Sequence, residues 1–264
     1  MIQATNTQAA GAPKTPAIEV ENLTVSYGPT PALLDVSFAI PSGKLVGVIG
    51  PNGSGKSTLI KSILGFLHPD FGEVKLFGEP ADEAIGRVAY VPQRGSVDWE
   101  FPITVRDVVM MGRYGHVPWW RGFSSEDHRI VNESLDMVRL SDLKQRQIGQ
   151  LSGGQQQRVF MARAMAQGAD ILLLDEPFAG VDAATERAIL DVLHRTKAVG
   201  KTLMVVHHDL ATAAEYFDVL VLLKQRMFAF GPPEAVLNPE LLSQVYEGNV
   251  KAFEGLPAAA KERQ

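Results

Sequence analysis

The sequence predicts an α/β fold, a largely parallel sheet covered by helices, and three observations carry the prediction. Short β-branched and leucine-rich runs alternate along the chain with longer stretches of helical period, the pattern of buried strands joined by helical crossovers. One of these runs passes directly into a glycine-rich turn and then a helical stretch. Between Gln93 and Leu151 the strand signal vanishes and helical spacing takes over.

Taken in order, Ile18 to Tyr27 and Leu34 to Ile40 alternate apolar and polar residues, as half-exposed antiparallel strands do, and would make the edge of the sheet mixed. Leu45 to Ile49, Val88 to Val91, Ile171 to Leu174, Leu203 to Val206 and Val219 to Leu223 are continuous apolar runs of strand length, suited to burial on both faces. Val105 to Met111 and Glu126 to Leu140 carry helical spacing and predict a helical subdomain over about residues 94–158, inserted into one domain of residues 18–255. Residues 1–17 lack a basic start followed by an apolar segment and read as a flexible tail, as do residues 256–264.

Composition narrows the function classes. The 264 residues are 45% apolar with a formal charge of −5 and no cysteine. Such a chain can bury a core, which excludes a disordered acidic polymer. Without cysteine there is no disulfide framework, thiolate metal site or cysteine nucleophile, as fits a reducing compartment. No block of lysine or arginine offers the basic patch that nucleic-acid phosphates require. A membrane-spanning helix needs roughly 20 consecutive apolar residues. The longest runs here are strand-length, so a cytosolic chain is expected.

The strand Leu45 to Ile49 is followed by Gly50, Pro51, Asn52, Gly53, Ser54, Gly55, Lys56 and Ser57, and Thr58 leads on into a helical segment. This is the full P-loop pattern in its required strand-to-helix setting. Glycines let backbone N–H groups turn inward around a phosphate, and the helix N-terminus adds partial positive charge. Lys56 then supplies a point charge to the β- and γ-phosphates, and the Ser57 hydroxyl can ligate Mg²⁺. The run Ile171 to Leu174 ends in Asp175 and Glu176. A parallel strand delivers such residues into the ligand crevice, so Asp175 can join the Mg²⁺ shell. Glu176 is the candidate to polarise the attacking water, as general base or positioning group.

Many P-loop proteins share those two motifs; LSGGQQQR, from Leu151 to Arg158, is far more selective. With it the sequence resembles the ATP-binding-cassette (ABC) ATPases from about Ile18 to Phe253. The resemblance implies a P-loop NTPase fold, a RecA-like mixed sheet flanked by helices, with an antiparallel β edge and an inserted α-helical subdomain. It implies a homodimer in which Ser152, Gly153, Gly154 and Gln155 of one subunit close over the nucleotide held by the other. Asp182 matches the loop aspartate that crosses this interface, although its setting AGVD departs from the commonest family wording. Tyr27 matches the aromatic residue that stacks on adenine, Gln93 the glutamine that touches Mg²⁺, and His208 the switch histidine that reaches the γ-phosphate. Mg²⁺ held by Ser57, Gln93 and Asp175 is the implied cofactor with ATP.

All three tryptophans, Trp99, Trp119 and Trp120, lie in the segment where such ATPases receive the membrane permease. Aromatic residues suit a protein interface, although packing of a small subdomain also employs them. The run VDWEFPITVRDVVMMGRYGH is similar to importers of manganese, zinc and ferrous iron, most of all to the manganese group. The implied function is ATP-driven uptake of a divalent transition metal at the cytoplasmic face of a bacterial inner membrane, with permease subunits and, indirectly, an extracytoplasmic metal-binding protein as partners. Alternatives are a zinc or iron-chelate importer, or a soluble ABC ATPase. The pair His207–His208 follows a strand, where neighbours point to opposite faces, so the two do not readily share one metal. His207 reads as a neighbour of the switch residue, and Asp98, His116 and His128 as ordinary polar residues.

Overall fold

The computed structural model describes residues 15–96, 99 and 101–246. In chain order its strands are β1 (Ile18–Tyr27), β2 (Thr30–Ile40), β3 (Leu45–Ile49), β4 (Phe71–Leu76), β5 (Glu79–Pro80), β6 (Val88–Val91), β7 (Ile171–Leu174), β8 (Thr202–Val206), β9 (Val219–Lys224) and β10 (Arg226–Gly231). The α-helices are α1 (Lys56–Ile63), α2 (Ala81–Ala84), α3 (Val105–Met110), α4 (Ser125–Met137), α5 (Gly153–Ala166), α6 (Ala183–Ala198), α7 (Leu210–Tyr216), α8 (Pro233–Val236) and α9 (Pro239–Val245).

The main sheet runs β10-β9-β3-β8-β7-β6, parallel from β9 to β6, with β10 antiparallel to β9 at one edge. Its parallel strands are largely apolar because both faces are covered. Leu45 and Ile49 of β3 join a core with α3 to α6, whereas Val46 and Val48 join a second core with α1 and the other sheet. Each fully buried leucine, isoleucine or valine contributes about 1.5–3 kcal/mol relative to exposure.

The predicted antiparallel strands do pair with each other, but in a separate sheet of order β2-β1-β4-β5. Their apolar faces explain the difference. Ile18, Val20, Leu23, Leu33 and Val36 pack in one core with Leu59, Ile60 and Ile63 of α1, so this sheet lies over the main one instead of extending it. A hydrogen bond from Leu34 N–H to Gln225 O (2.8 Å) links the two near β10.

Between β6 and β7 the described residues form helices and short turns, joined by one isolated bridge, Thr104 to Gln147. Thr104, Ser124 and Ser152 cap α3, α4 and α5 with their hydroxyls, and the last two complete reciprocal capping boxes with Asp127 and Gln155. Helix α4 stops at Met137, before the predicted Leu140, because Arg139 turns into the left-handed region at φ 57°. Ala17, expected at the end of the tail, is buried instead, its N–H bonded to Ile40 O at 2.8 Å. Residues 1–14 and 256–264 of the expected tails, the domain end at 255, and Asp98 lie outside the described residues.

Candidate functional site

The loop Gly50–Gly55 needs glycine for two separate reasons. Gly50 has φ 153°, and a Cβ there would sit 2.0 Å from Leu223 O; Gly55 has φ 99°, with Ala32 O 2.6 Å from its would-be Cβ. Both conformation and space exclude a side chain. Gly55 also provides no side-chain cap, which leaves the first N–H groups of α1 pointing into a cleft of about 340 Å³. Lys56 Nζ donates to Gly50 O and Pro51 O, each at 2.9 Å. Burial lowers its pKa, against the opposing pull of Glu176 and Asp175. Tyr27, Asn52 to Thr58, Glu176 and His208 all line the same cleft, and the Tyr27 ring is half exposed at its mouth.

The sheet order brings the rest together. The P-loop follows β3, His208 follows β8, Glu176 follows β7 and Gln93 follows β6, at the C-terminal ends of four adjacent parallel strands. Asp175 is buried, its N–H bonded to Val91 O at 3.0 Å. Burial first, and then the neighbouring Glu176 charge, push its carboxyl pKa up, against Tyr90, His208 and Lys56. Its Oδ2 accepts from the Tyr90 hydroxyl at 3.5 Å, while its buried Oδ1 has no hydrogen-bond partner among the described residues. A buried carboxylate oxygen without a donor is costly. Asp175, Ser57 and Gln93 each carry an oxygen donor of the kind that suits Mg²⁺.

Glu176 sits at φ 50°, a strained conformation for a side-chain-bearing residue. Its Oε1 lies 2.5 Å from His208 Nε2, and its Oε2 accepts from Gln93 Nε2 at 2.7 Å. His207 points the other way, buried beneath the site, and burial lowers its pKa to about 4.

Ser152, Gly153, Gly154, Gln155 and Asp182 do not line this cleft. Ser152 caps α5, and Gln155 Oε1 accepts from Ser152 N–H at 2.9 Å. Gly154 lets α6 approach, since a Cβ there would meet Thr185 Cγ2 at 1.9 Å. Asp182 caps α6 through Thr185 N–H at 2.8 Å. The tryptophans divide: Trp99 packs edge-on against Phe160 and donates to Arg94 O (2.9 Å), whereas Trp119 and Trp120 are 91% and 72% exposed. His116 bonds Gln167 O at 2.8 Å and His128 bonds Arg106 at 3.1 Å. Among the described residues no three histidine or acidic side chains cluster to hold a metal.

Tyr90 escaped the sequence reading. Burial and the adjacent Asp175 push its hydroxyl pKa up to about 12, so it stays a donor toward that carboxylate. Its position next to last in β6, a strand that ends beside the site, was the available signal.

Comparison with known proteins agrees with this geometry. The ABC transporter family model matches residues 33–179. The chain is 52% identical over 233 residues to the manganese transport system ATP-binding protein MntB of Bacillus subtilis, covering 88% of this chain and 93% of that protein. It is 49% identical over 236 residues to the zinc transport system ATP-binding protein TroB of Treponema pallidum, covering 89% of each. The ADP conformation of MJ1267, an ATP-binding cassette of an ABC transporter, superposes with a TM-score of 0.77 at 28% identity, over 89% of this chain and 99% of that one. No helix among the described residues is long and apolar enough to cross a membrane.

Proposed function

This chain belongs to the ABC transporter family, and on that premise we propose that it is the ATP-hydrolysing subunit of an importer for a divalent transition metal, manganese before zinc. The observation that carries the reading is the convergence of P-loop, Gln93, Glu176 and His208 on four adjacent strand ends. The choice of manganese rests on the identity to MntB of Bacillus subtilis, 52% against 49% for TroB.

The P-loop N–H groups and the start of α1 would hold the phosphates, Lys56 would neutralise the β- and γ-phosphates, and the Tyr27 ring would stack on the base. Ser57, Gln93 and Asp175 would hold Mg²⁺, which would neutralise charge developing on the phosphates. Glu176 would orient the attacking water and accept its proton as the γ-phosphoryl group leaves ADP, with His208 fixing that carboxylate and reaching the γ-phosphate.

Ser152 to Gln155 and Asp182 would act on the partner subunit's nucleotide, which agrees with their place outside the chain's own cleft. ATP would thus close two copies head to tail. The helical region of residues 94–158 would receive permease subunits, placing the chain at the cytoplasmic face of the inner membrane, with a metal-binding protein acting from outside. ATP hydrolysis by the purified chain reconstituted with its permease tests the reading. Turnover stimulated by metal-loaded binding protein is expected; hydrolysis blind to the loaded protein would refute it.

A further inference from the structure

The loops carrying Glu176 and His208 rest on a box of aromatic rings, and a second histidine stands at its centre. His207 is 4% exposed. Its ring meets Phe178 edge-on at 5.4 Å, Phe217 edge-on at 5.3 Å and Tyr216 at 5.9 Å, and Phe178 in turn lies 5.7 Å from Tyr216. Phe178 is two residues beyond Glu176, and His207 immediately precedes His208. The box therefore joins the two loops behind the contact between Glu176 and His208.

Polar contacts fix the ring as well as its surroundings. His207 Nε2 lies 2.8 Å from Thr212 Oγ1, and that hydroxyl lies 3.4 Å from Asp209 O. With the Thr212 proton directed to the carbonyl, Nε2–H of a neutral imidazole donates to the hydroxyl. The His207 N–H bonds Val48 O at 3.0 Å, tying the same residue to the strand that enters the P-loop. Edge-to-face ring contacts are directional, and a hydrogen bond on one edge leaves the ring a single orientation. An aliphatic residue could fill the space but would fix neither.

We propose that His207 is a positioning residue for hydrolysis, setting the distance between Glu176 and His208 by clamping their two loops together. The inference rests on the proposed roles of those two residues. Small displacements of a catalytic group cost rate steeply, on the order of a hundredfold per ångström.

The test compares His207→Phe, which fills the box without the hydrogen bond, Thr212→Val, which removes the acceptor at nearly equal volume, and His207→Gln, which restores a donor. ATP binding, kcat, KM and thermal melting are measured on the full chain. The expected result is a kcat lowered roughly tenfold in His207→Phe and Thr212→Val, with ATP affinity and KM within about twofold, and partial recovery in His207→Gln, which restores the donor but not the ring contacts. Unchanged kcat in the folded variants, His207→Gln as slow as His207→Phe, or parallel loss of binding, kcat and melting temperature would overturn it. Should His207→Phe not fold, Thr212→Val decides. Glu176→Gln and His208→Ala run alongside: normal hydrolysis in those two would refute the site roles themselves, a failure distinct from that of the clamp.

Discussion

Glu176 Oε1 lies 2.5 Å from His208 Nε2, although the two residues leave different strands of the sheet. Gln93 holds the opposite oxygen at 2.7 Å, so the carboxylate is oriented from both sides. Glu176→Gln keeps the shape and loses the proton acceptor. Hydrolysis should fall by roughly 10²–10⁴-fold while ATP remains bound, and light scattering should register an ATP-dependent dimer. A particle that stays monomeric with ATP bound would contradict the shared site.

Lys56→Ala removes the point charge from the proposed phosphate cradle. Loss of one charge-assisted contact of about 1.5–3 kcal/mol should raise the Kd for ATP roughly 10- to 150-fold, measurable by titration calorimetry. Wild-type affinity would remove Lys56 from the site.

Gly50→Ala and Gly53→Ala separate collision from conformation. At Gly50 a methyl group meets Leu223 O at 2.0 Å, whereas at Gly53, with φ 77°, nothing lies within 4 Å. Gly53→Ala should cost only about 1–2 kcal/mol of backbone strain. Gly50→Ala should cost clearly more in thermal melting and also displace the loop from the phosphates.

Acid stability carries a signature of His207. Burial lowers its pKa from 6.5 to about 4 in the fold. Between those values the unfolded chain binds the proton that the folded chain refuses, so stability falls as pH drops from 6.5 toward 4 and this contribution levels off below. His207→Gln should flatten that slope in urea melts taken across the window; an unaltered slope would mean the ring is not buried neutral.

Trp119→Ala with Trp120→Ala should leave the melting temperature nearly unchanged, because both rings are exposed, yet weaken co-purification with the permease. Trp99→Ala should lower the melting temperature by itself, since that ring packs on Phe160 and bonds Arg94 O.

The buried strands were legible because both their faces are covered, which writes them as unbroken apolar runs. Strands β4 and β10 were not. Phe71, Gly72 and Glu73 are exposed, and β10 is a half-exposed edge, so neither has a consistent apolar face to betray it. The antiparallel pairing of β1 with β2 was legible from alternation, but alternation says nothing of which sheet a strand joins; that was settled by packing on α1. Of the site, the P-loop and the Asp175–Glu176 pair were visible through chemistry at fixed spacing. The contacts of Tyr90 with Asp175 and of His207 with Phe178 join residues far apart in sequence, and only the sheet order brings them together.

Metal uptake by cells that lack this gene, complemented with the wild-type chain or with Glu176→Gln, tests the central claim most directly when manganese, zinc and iron are measured together. Wild type should restore manganese accumulation and Glu176→Gln should not, with zinc and iron little affected. Equal restoration by Glu176→Gln, or recovery of zinc or iron with manganese unchanged, would contradict an ATP-driven manganese importer.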